Sequence, residues 1–496
     1  MARLHHHLIR VARRLAACAD RFAAAGAIYD PNPLLQVTAA SAPVPASEEA
    51  SQRRAARRPR LQLRSVDGAA LLVVAVVLAL LWANSPWSGT YATFWHAPIA
   101  LTLGPLTIGA DLRTWVDEGL MTMFFLVVGL EAKRERDLGE LRDGRRLALP
   151  VLAGLGGMAL AAVAYLAVAG GGAGAGGWGA AISTDTALAL GALTLAAGRH
   201  GGRLRVFLLT LLVVDDVVAL LVVSVVYPAH LNVAALAAAV ALVGLLLTLR
   251  AVGTRQLRTN GDSDSVLWLL TILVAIGLWL ALFASGIDPV ISGLLIGLLT
   301  NAYAPEDRRL ARSSALTQAF GEAPSPAASA TARASLAAAI SPNERLLYRL
   351  QPWSSKVVVP LFALANAGVI VNRDVLAQAL TSPVTWGIVI AYVVGKPLGI
   401  LAVVWVASRG ADRRSALPLG WDELRGVALT AGVGFTVSLL IASRAFHGAL
   451  LDQAKVGILA TALISPALSV VALASVRRVV RRPCRTRPLT LAVAAR

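Results

Sequence analysis

The stretch VFLLTLLVVDDVVALLVVSVV, residues 206 to 226, decides how the rest of the chain is read. Its 21 residues have the length at which an apolar helix crosses a bilayer. Yet Asp215 and Asp216 stand side by side at its middle, where each carboxylate costs roughly 2.5 to 3.5 kcal/mol on insertion scales. Successive helical residues point about 100 degrees apart, so one carboxylate can face a cavity while the other meets a neighbouring helix. Something elsewhere in the chain must offset both charges.

The surroundings repeat the apolar pattern. The 496 residues are 57% hydrophobic and 15% charged with positive mean hydropathy, which excludes an ordinary soluble domain and a disordered chain. Apolar segments recur at about 68 to 84, 112 to 130, 147 to 169, 180 to 197, 206 to 226, 232 to 249, 266 to 285, 287 to 301, 354 to 371, 383 to 407, 422 to 442 and 453 to 476. The chain therefore reads as an all-α polytopic membrane protein of about twelve transmembrane helices.

The net charge of +18 sits in the gaps between these segments. If the N-terminus is cytoplasmic, KRERDLGELRDGRR (133 to 146), GRHGGRLR (198 to 205), RAVGTRQLR (250 to 258), RGADRRS (409 to 415) and the C-terminal RRVVRRPCRTR are all cytoplasmic too. Opposite loops such as GGGAGAGGWG (171 to 180) and YPAHLN (227 to 232) carry almost no positive charge. This is the positive-inside pattern with both termini cytoplasmic, and it explains the charge without nucleic acid. Residues 1 to 66 lack an h-region with a cleavage site and read as a disordered Arg-rich cytoplasmic extension touching anionic lipid. The organisation expected is helices 1 to 8 over 67 to 301, a flexible cytoplasmic loop over 302 to 350, helices 9 to 12 over 351 to 476, and a basic tail over 477 to 496. Cys18 and Cys484 take no role, and no histidine falls inside an apolar segment, so a proton crossing the core must ride on Asp, Glu or Lys.

Three further segments break the apolar rule. In AAISTDTALALGALTLAAG (180 to 198), Ser183, Thr184, Asp185 and Thr186 interrupt the run near its start. An unwound turn there would free carbonyls as cation ligands, while a helix that begins late with a Ser/Thr/Asp cap is the competing reading. GIVIAYVVGKPLGILAVVWVA (387 to 407) places Lys396 at mid-depth, in a chain with four lysines that uses arginine almost everywhere else. An ammonium can lose its proton when desolvated, whereas a guanidinium in practice cannot; a structural salt bridge to an aspartate is the alternative and is compatible with function. VALTAGVGFTVSLLIAS (427 to 443) is weakened by Gly432, Gly434 and Thr436, although glycine-rich spans are more often packing surfaces.

Three aspartates and one lysine at similar depth most simply converge on one polar cavity. Paired interruptions in corresponding halves point to a transporter site between inverted repeats. Carboxylates, hydroxyls and carbonyls suit a hard cation such as sodium or lithium, and they can bind protons instead. Competition of the two cations for one site that faces one side at a time couples their fluxes.

At these residues the chain resembles the NhaA-type sodium/proton antiporters. The resemblance rests on FFLVVGLEAKRE (124 to 135), STDTALALG (183 to 191), VVDDVVA (213 to 219), PLFALANAGV (360 to 369), GKPLGI (395 to 400) and GVGFTVS (432 to 438), and covers about residues 67 to 476. It implies that Asp216 is the principal cation ligand and proton carrier, with Asp215 its partner, Lys396 bridged to Asp215, and Thr184 among the ligands of Na+ or Li+. It implies that Thr184 and Asp185 lie where two broken helices cross near the midplane, supported by Gly432, Gly434 and Thr436. Glu118 would line the outer approach, and Glu131 and Glu135 a cytoplasmic funnel that responds to pH; a solvated loop among arginines is the other reading of the last two.

The implied activity is electrogenic export of Na+ or Li+ for inward H+, serving pH and sodium homeostasis in the bacterial inner membrane. No cofactor is expected, in keeping with the lack of a GxxxxGK[ST] loop. The partners expected are Na+, Li+, H+ and the lipid bilayer, with a homodimer as a candidate assembly. Two departures bear on the pH response: RLLYRLQPW (345 to 353) lacks the familiar acidic and histidine residues, and Asp288 stands where a histidine is familiar. The competing readings are a passive cation channel and an intramembrane aspartyl protease, which would need its acids on separate helices.

Overall fold

The computed structural model describes residues 63–103, 106–138, 144–197, 202–228, 231–259, 265–303, 307–410 and 420–480. The N-terminal extension up to residue 62 and the tail from 481, with Cys18 and Cys484, lie outside the described residues. The described residues up to Ala474 belong to one compact unit.

Helix α1 (Leu63–Ala83) is followed, after a 115° bend, by the short α2 (Ser88–Trp95). A hairpin of β1 (Pro98–Leu103) and β2 (Leu106–Asp111) pairs antiparallel from Pro98↔Asp111 to Leu103↔Leu106, the one departure from an all-helical chain among the described residues. A π-helical turn at Trp115–Leu120 leads into α3 (Met121–Leu138), and α4 (Gly144–Ala169) follows. A 3-10 helix at Ala175–Ala181 is separated from α5 (Thr186–Ala197) by a non-helical step. Next come α6 (Gly202–Val226), α7 (Val233–Thr259), α8 (Ser265–Ser285) and α9 (Val290–Leu299). Three polar helices follow, α10 (Asp307–Glu322), α11 (Pro326–Ala339) and α12 (Pro342–Trp353), then α13 (Val359–Asn366) and α14 (Arg373–Thr381). The helix α15 (Pro383–Ile390) runs through a π-helical turn at Ala391–Gly395 into α16 (Lys396–Gly410). Last are α17 (Trp421–Thr430), a break at 431–435, α18 (Thr436–Ala445) and α19 (Ala449–Val480).

Burial is inside-out relative to a soluble protein. Val225, Leu463 and Val233 are 77%, 75% and 70% exposed, whereas Asp215 and Lys396 are 0% exposed. Apolar side chains face outward and charges inward, as a lipid solvent requires, and the protein is a multi-pass membrane protein. Five helices among the described residues are long and apolar enough to span a bilayer: Ala148–Ala169, Leu204–Val226, Val233–Val252, Pro383–Arg409 and Ala449–Leu473. The bent α1/α2 pair passes the same test when its two helices are taken together as one span. The twelve apolar segments do not translate one for one into long helices. The steps before Thr186 and Thr436 cut two of them short, and α3 ends in the charged run EAKRERD.

Composition argues for little order over 302 to 350, yet three helices occupy most of that segment. Alanine has the highest helix propensity of any residue, and each of the last two helices opens on a capping serine with proline at the first turn. Ser325 Oγ accepts from Ala328 N at 3.1 Å, and Ser341 Oγ from Glu344 N at 3.3 Å. Asn343 then donates to the Leu130 carbonyl at 3.0 Å, fixing α12 against α3.

Lipid tails are as apolar as leucine, so helix pairs here are held by close backbone approach and not by hydrophobic drive. In α3 and α9, a Cβ added at Gly129 would lie 2.5 Å from the Leu294 carbonyl oxygen, and one at Gly297 would lie 2.6 Å from that of Leu126. Gly157 of α4 would meet Ile400 of α16 at 2.8 Å and the Lys396 carbonyl at 3.3 Å, which sets the depth of Lys396. Gly297→Val is expected to cost about 1–3 kcal/mol by overpacking and to lower the melting temperature of the solubilised protein by several degrees. Gly244→Ala, where an added Cβ meets nothing within 4 Å, should not. Equal melting of the two variants would contradict this packing.

Candidate functional site

Asp215 and Asp216 lie midway along α6, at the junction of two buried apolar clusters. Leu211 and Leu212 belong to one, Ala219 and Leu220 to the other. Asp215 Oδ2 is 2.6 Å from Lys396 Nζ and accepts from Thr184 Oγ1 at 2.7 Å. Lys396 also donates to Thr184 Oγ1 at 2.5 Å and to the Ile182 carbonyl. Among the described residues, Asp216, 2% exposed, receives a single 3.2 Å contact, from Thr186 Oγ1 on its Oδ2. The Oδ1 atoms of both aspartates and Ser183 Oγ are buried without a hydrogen-bond partner among those residues. One carboxylate is thus neutralised by an ammonium, and the other is left with a single neutral donor.

The step between the 3-10 helix and α5 explains how these side chains converge. Asp185 is the N-cap of α5, its Oδ1 accepting from Leu188 N at 2.9 Å. Its Oδ2 accepts from Thr436 Oγ1 at 2.8 Å and Thr436 N at 3.3 Å, at the start of α18. Its own N–H donates to the Val433 carbonyl at 2.6 Å. One carboxylate therefore caps two helix N-termini, each carrying the positive end of a helix dipole. The late-cap reading and the interruption reading of this segment describe the same residues. At the opposite pole, Lys396 meets the Ile182 carbonyl at the C-terminal end of the 3-10 helix, and Thr184 Oγ1 lies 2.7 Å from the Ala431 carbonyl at the end of α17. Gly432 and Gly434 sit in the second break, so close to Tyr392 that an added Cβ on either would collide with its carbonyl or its ring.

Thr184, Asp185, Asp215, Asp216, Lys396 and Thr436 thus form one constellation; Glu118, Glu131 and Glu135 lie outside it. Glu118, in the π-helical turn before α3, accepts from Arg444 near the C-terminal end of α18, and Arg444 Nη2 is also 3.7 Å from Asp288 Oδ2. Beside it, Asn366 donates to Asp117 Oδ1 at 2.5 Å. Arg444→Leu removes the cation from two buried carboxylates, which costs up to about 3 kcal/mol. It is expected to melt several degrees below wild type, with partial recovery when Glu118→Gln and Asp288→Asn are added. Wild-type melting of Arg444→Leu would remove this ion pair from the account.

Glu131 and Glu135 occupy the other end of α3. Gln351 of α12 donates to Glu131 Oε1 at 3.1 Å, and Arg134 Nε pairs with Glu344 at 2.6 Å. The altered 345 to 353 segment therefore touches the funnel candidate directly. Sequence patterning does not single out Tyr392, Ser438 or Arg444. Their signals are faint: Tyr392 stands four residues before Lys396, on the same helix face, and Arg444 lies just past the apolar run.

Residues 61–473 match the model of the Na+/H+ antiporter 1 family. The chain is 46% identical over 401 residues to a Na(+)/H(+) antiporter NhaA 1 of Salinispora arenicola (strain CNS-205), covering 81% of this chain and 60% of that relative. It is 41% identical over 434 residues to a Na(+)/H(+) antiporter NhaA of Herminiimonas arsenicoxydans, covering 86% and 68%. A Na(+)/H(+) antiporter NhaA 3 of Frankia alni (strain DSM 45986 / CECT 9034 / ACN14a) is 40% identical over 399 residues, covering 80% and 84%. The match spans about 60% of the length of the Salinispora relatives. With most of the described helices and every residue of the Asp215/Asp216 constellation inside the matched range, the chain belongs to the Na+/H+ antiporter 1 family.

Proposed function

We propose that the protein is a secondary active transporter that exports Na+ or Li+ in exchange for H+, electrogenically and without a cofactor. The observation that carries this reading is the asymmetry of the aspartate pair: Asp215 is held by Lys396 and Thr184, while Asp216 meets Thr186 alone among the described residues. Asp216, when ionised, offers a hard anionic oxygen, and its Oδ1, like that of Asp215, is buried without a hydrogen-bond partner among the described residues, which suits a hard cation. When protonated, it is neutral and releases that cation. A single site that binds either ion, but not both, exchanges them when it opens to one side at a time.

In this reading, Asp215, Asp216 and Thr184 ligate the cation, Lys396 balances the charge of Asp215, and Asp185 and Thr436 hold the two breaks in place. The breaks at 182–185 and 431–435 are the crossing points of two broken helices from inverted repeats in a twelve-span bundle. Glu118 lines one approach, and Glu131 and Glu135 the other. In this reading Glu131 and both termini lie on the cytoplasmic side of a bacterial inner membrane, an orientation supported by the arginine-rich loops; Arg409 stacking over Trp405 at 3.7 Å, at the end of α16, suits such an interface. The test is proton movement in everted vesicles: sodium or lithium added to acid-loaded vesicles should release protons. No release across pH 6.5 to 9 would overturn the reading.

A further inference from the structure

We infer that Tyr392 is a positioning residue for the cation site, an inference that rests on the exchange reading above. Its ring lies in the π-helical turn at Ala391–Gly395, four residues before Lys396 and on the same face. Its hydroxyl is 2.9 Å from the Ala180 carbonyl oxygen and 2.7 Å from that of Ser183, and it shares a hydrogen bond with Ser438 Oγ. The Ser183 carbonyl lies in the first break and the Ala180 carbonyl in the last turn of the 3-10 helix that leads into it, and Ser438 stands in the opening turn of α18 beyond the second. One hydroxyl therefore joins both breaks to the helix that carries Lys396.

Tyr392 and Lys396 between them occupy the carbonyls of Ala180, Ile182 and Ser183, the backbone oxygens that an unwound turn would otherwise offer a cation. The Tyr392 hydroxyl has no hydrogen bond to Asp215 or Asp216, so its effect is indirect. By holding the Ser183 carbonyl it fixes the peptide plane between Ser183 and Thr184. Thr184 in turn lies 2.7 Å from Asp215 and 2.5 Å from Lys396. Without the hydroxyl that peptide can turn, Thr184 leaves Asp215, and the site binds cation less well while the proton-carrying Asp216 is untouched.

Tyr392→Phe keeps the ring that packs against Gly434 and removes only the hydroxyl. In everted vesicles it should raise the apparent sodium KM about five- to tenfold, with the maximal rate within about twofold of wild type. Ser438→Ala should raise the KM about threefold, and the double variant should be no worse than Tyr392→Phe, because both act through one hydroxyl. A sodium KM within about twofold of wild type in Tyr392→Phe overturns the inference even if its melting temperature falls, since the hydroxyl is then only structural. A lowered maximal rate at unchanged KM overturns it too. Should Tyr392→Phe fail to fold, Ser438→Ala decides alone: an unchanged KM there sinks the proposal. Failure of the exchange reading would show separately, as no proton release by wild-type vesicles.

Discussion

Asp216→Asn is expected to abolish sodium-driven proton release in everted vesicles while leaving the protein folded. The amide is nearly isosteric with the carboxyl and can keep the Thr186 contact, 3.2 Å in the wild type, so the packing of α6 stays as it is. What is lost is ionisation. An amide at this position can neither carry a proton nor present an anionic oxygen, and removal of one charged ligand contact of up to about 3 kcal/mol reduces cation occupancy roughly a hundredfold. Because the wild-type carboxylate is buried with a single neutral donor among the described residues, its replacement also removes a desolvation cost. The melting temperature should therefore match or exceed that of wild type. Wild-type exchange in this variant would refute the site; lost exchange with a collapsed melting temperature would make Asp216 a structural residue.

Lys396→Ala should damage both stability and transport. Its ammonium is 2.6 Å from Asp215, 2.5 Å from Thr184, and also meets the Ile182 carbonyl, with no exposure to solvent. Breaking a buried ion pair by removing one partner costs about 3–5 kcal/mol, which for a large chain is a fall of roughly 5 to 10 °C in melting temperature. Asp215→Asn in the same background should recover much of that loss, because the orphaned charge is then gone. A melting temperature of Lys396→Ala at or above wild type would show that the bridge contributes nothing.

The parts of this site that are legible in the sequence are those where one residue contradicts its surroundings. Asp215, Asp216 and Lys396 each place a charge in an apolar run, where an unpaired charge is costly. The interruptions are visible as Ser/Thr/Asp and Gly/Thr clusters. The double capping by Asp185 is not, because Thr436 stands 251 positions away. Tyr392 is hidden for the opposite reason: a tyrosine in an apolar helix contradicts nothing, and its hydroxyl matters only once two breaks converge on it. The segment over 302 to 350 reads as a linker when its alanine and serine are weighed as composition alone. The Ser325-Pro326 and Ser341-Pro342 starts, the latter with Glu344 three residues on from its serine, are the helix signals that composition conceals. The hairpin at Pro98–Asp111 lies in a stretch that contains no charge until Asp111, so an apolar-segment reading passes over it.

The most direct test of the central claim, that one site exchanges sodium for protons, uses purified protein in liposomes with an acid interior and an alkaline exterior. Radioactive sodium uptake is followed with the pH gradient imposed, and again after nigericin collapses it. Sodium is expected to accumulate above its equilibrium level while the gradient lasts, with protons leaving the same vesicles, and neither movement is expected in Asp216→Asn. Sodium that merely equilibrates, at the same rate with or without the gradient, would contradict it and identify a passive conductance instead.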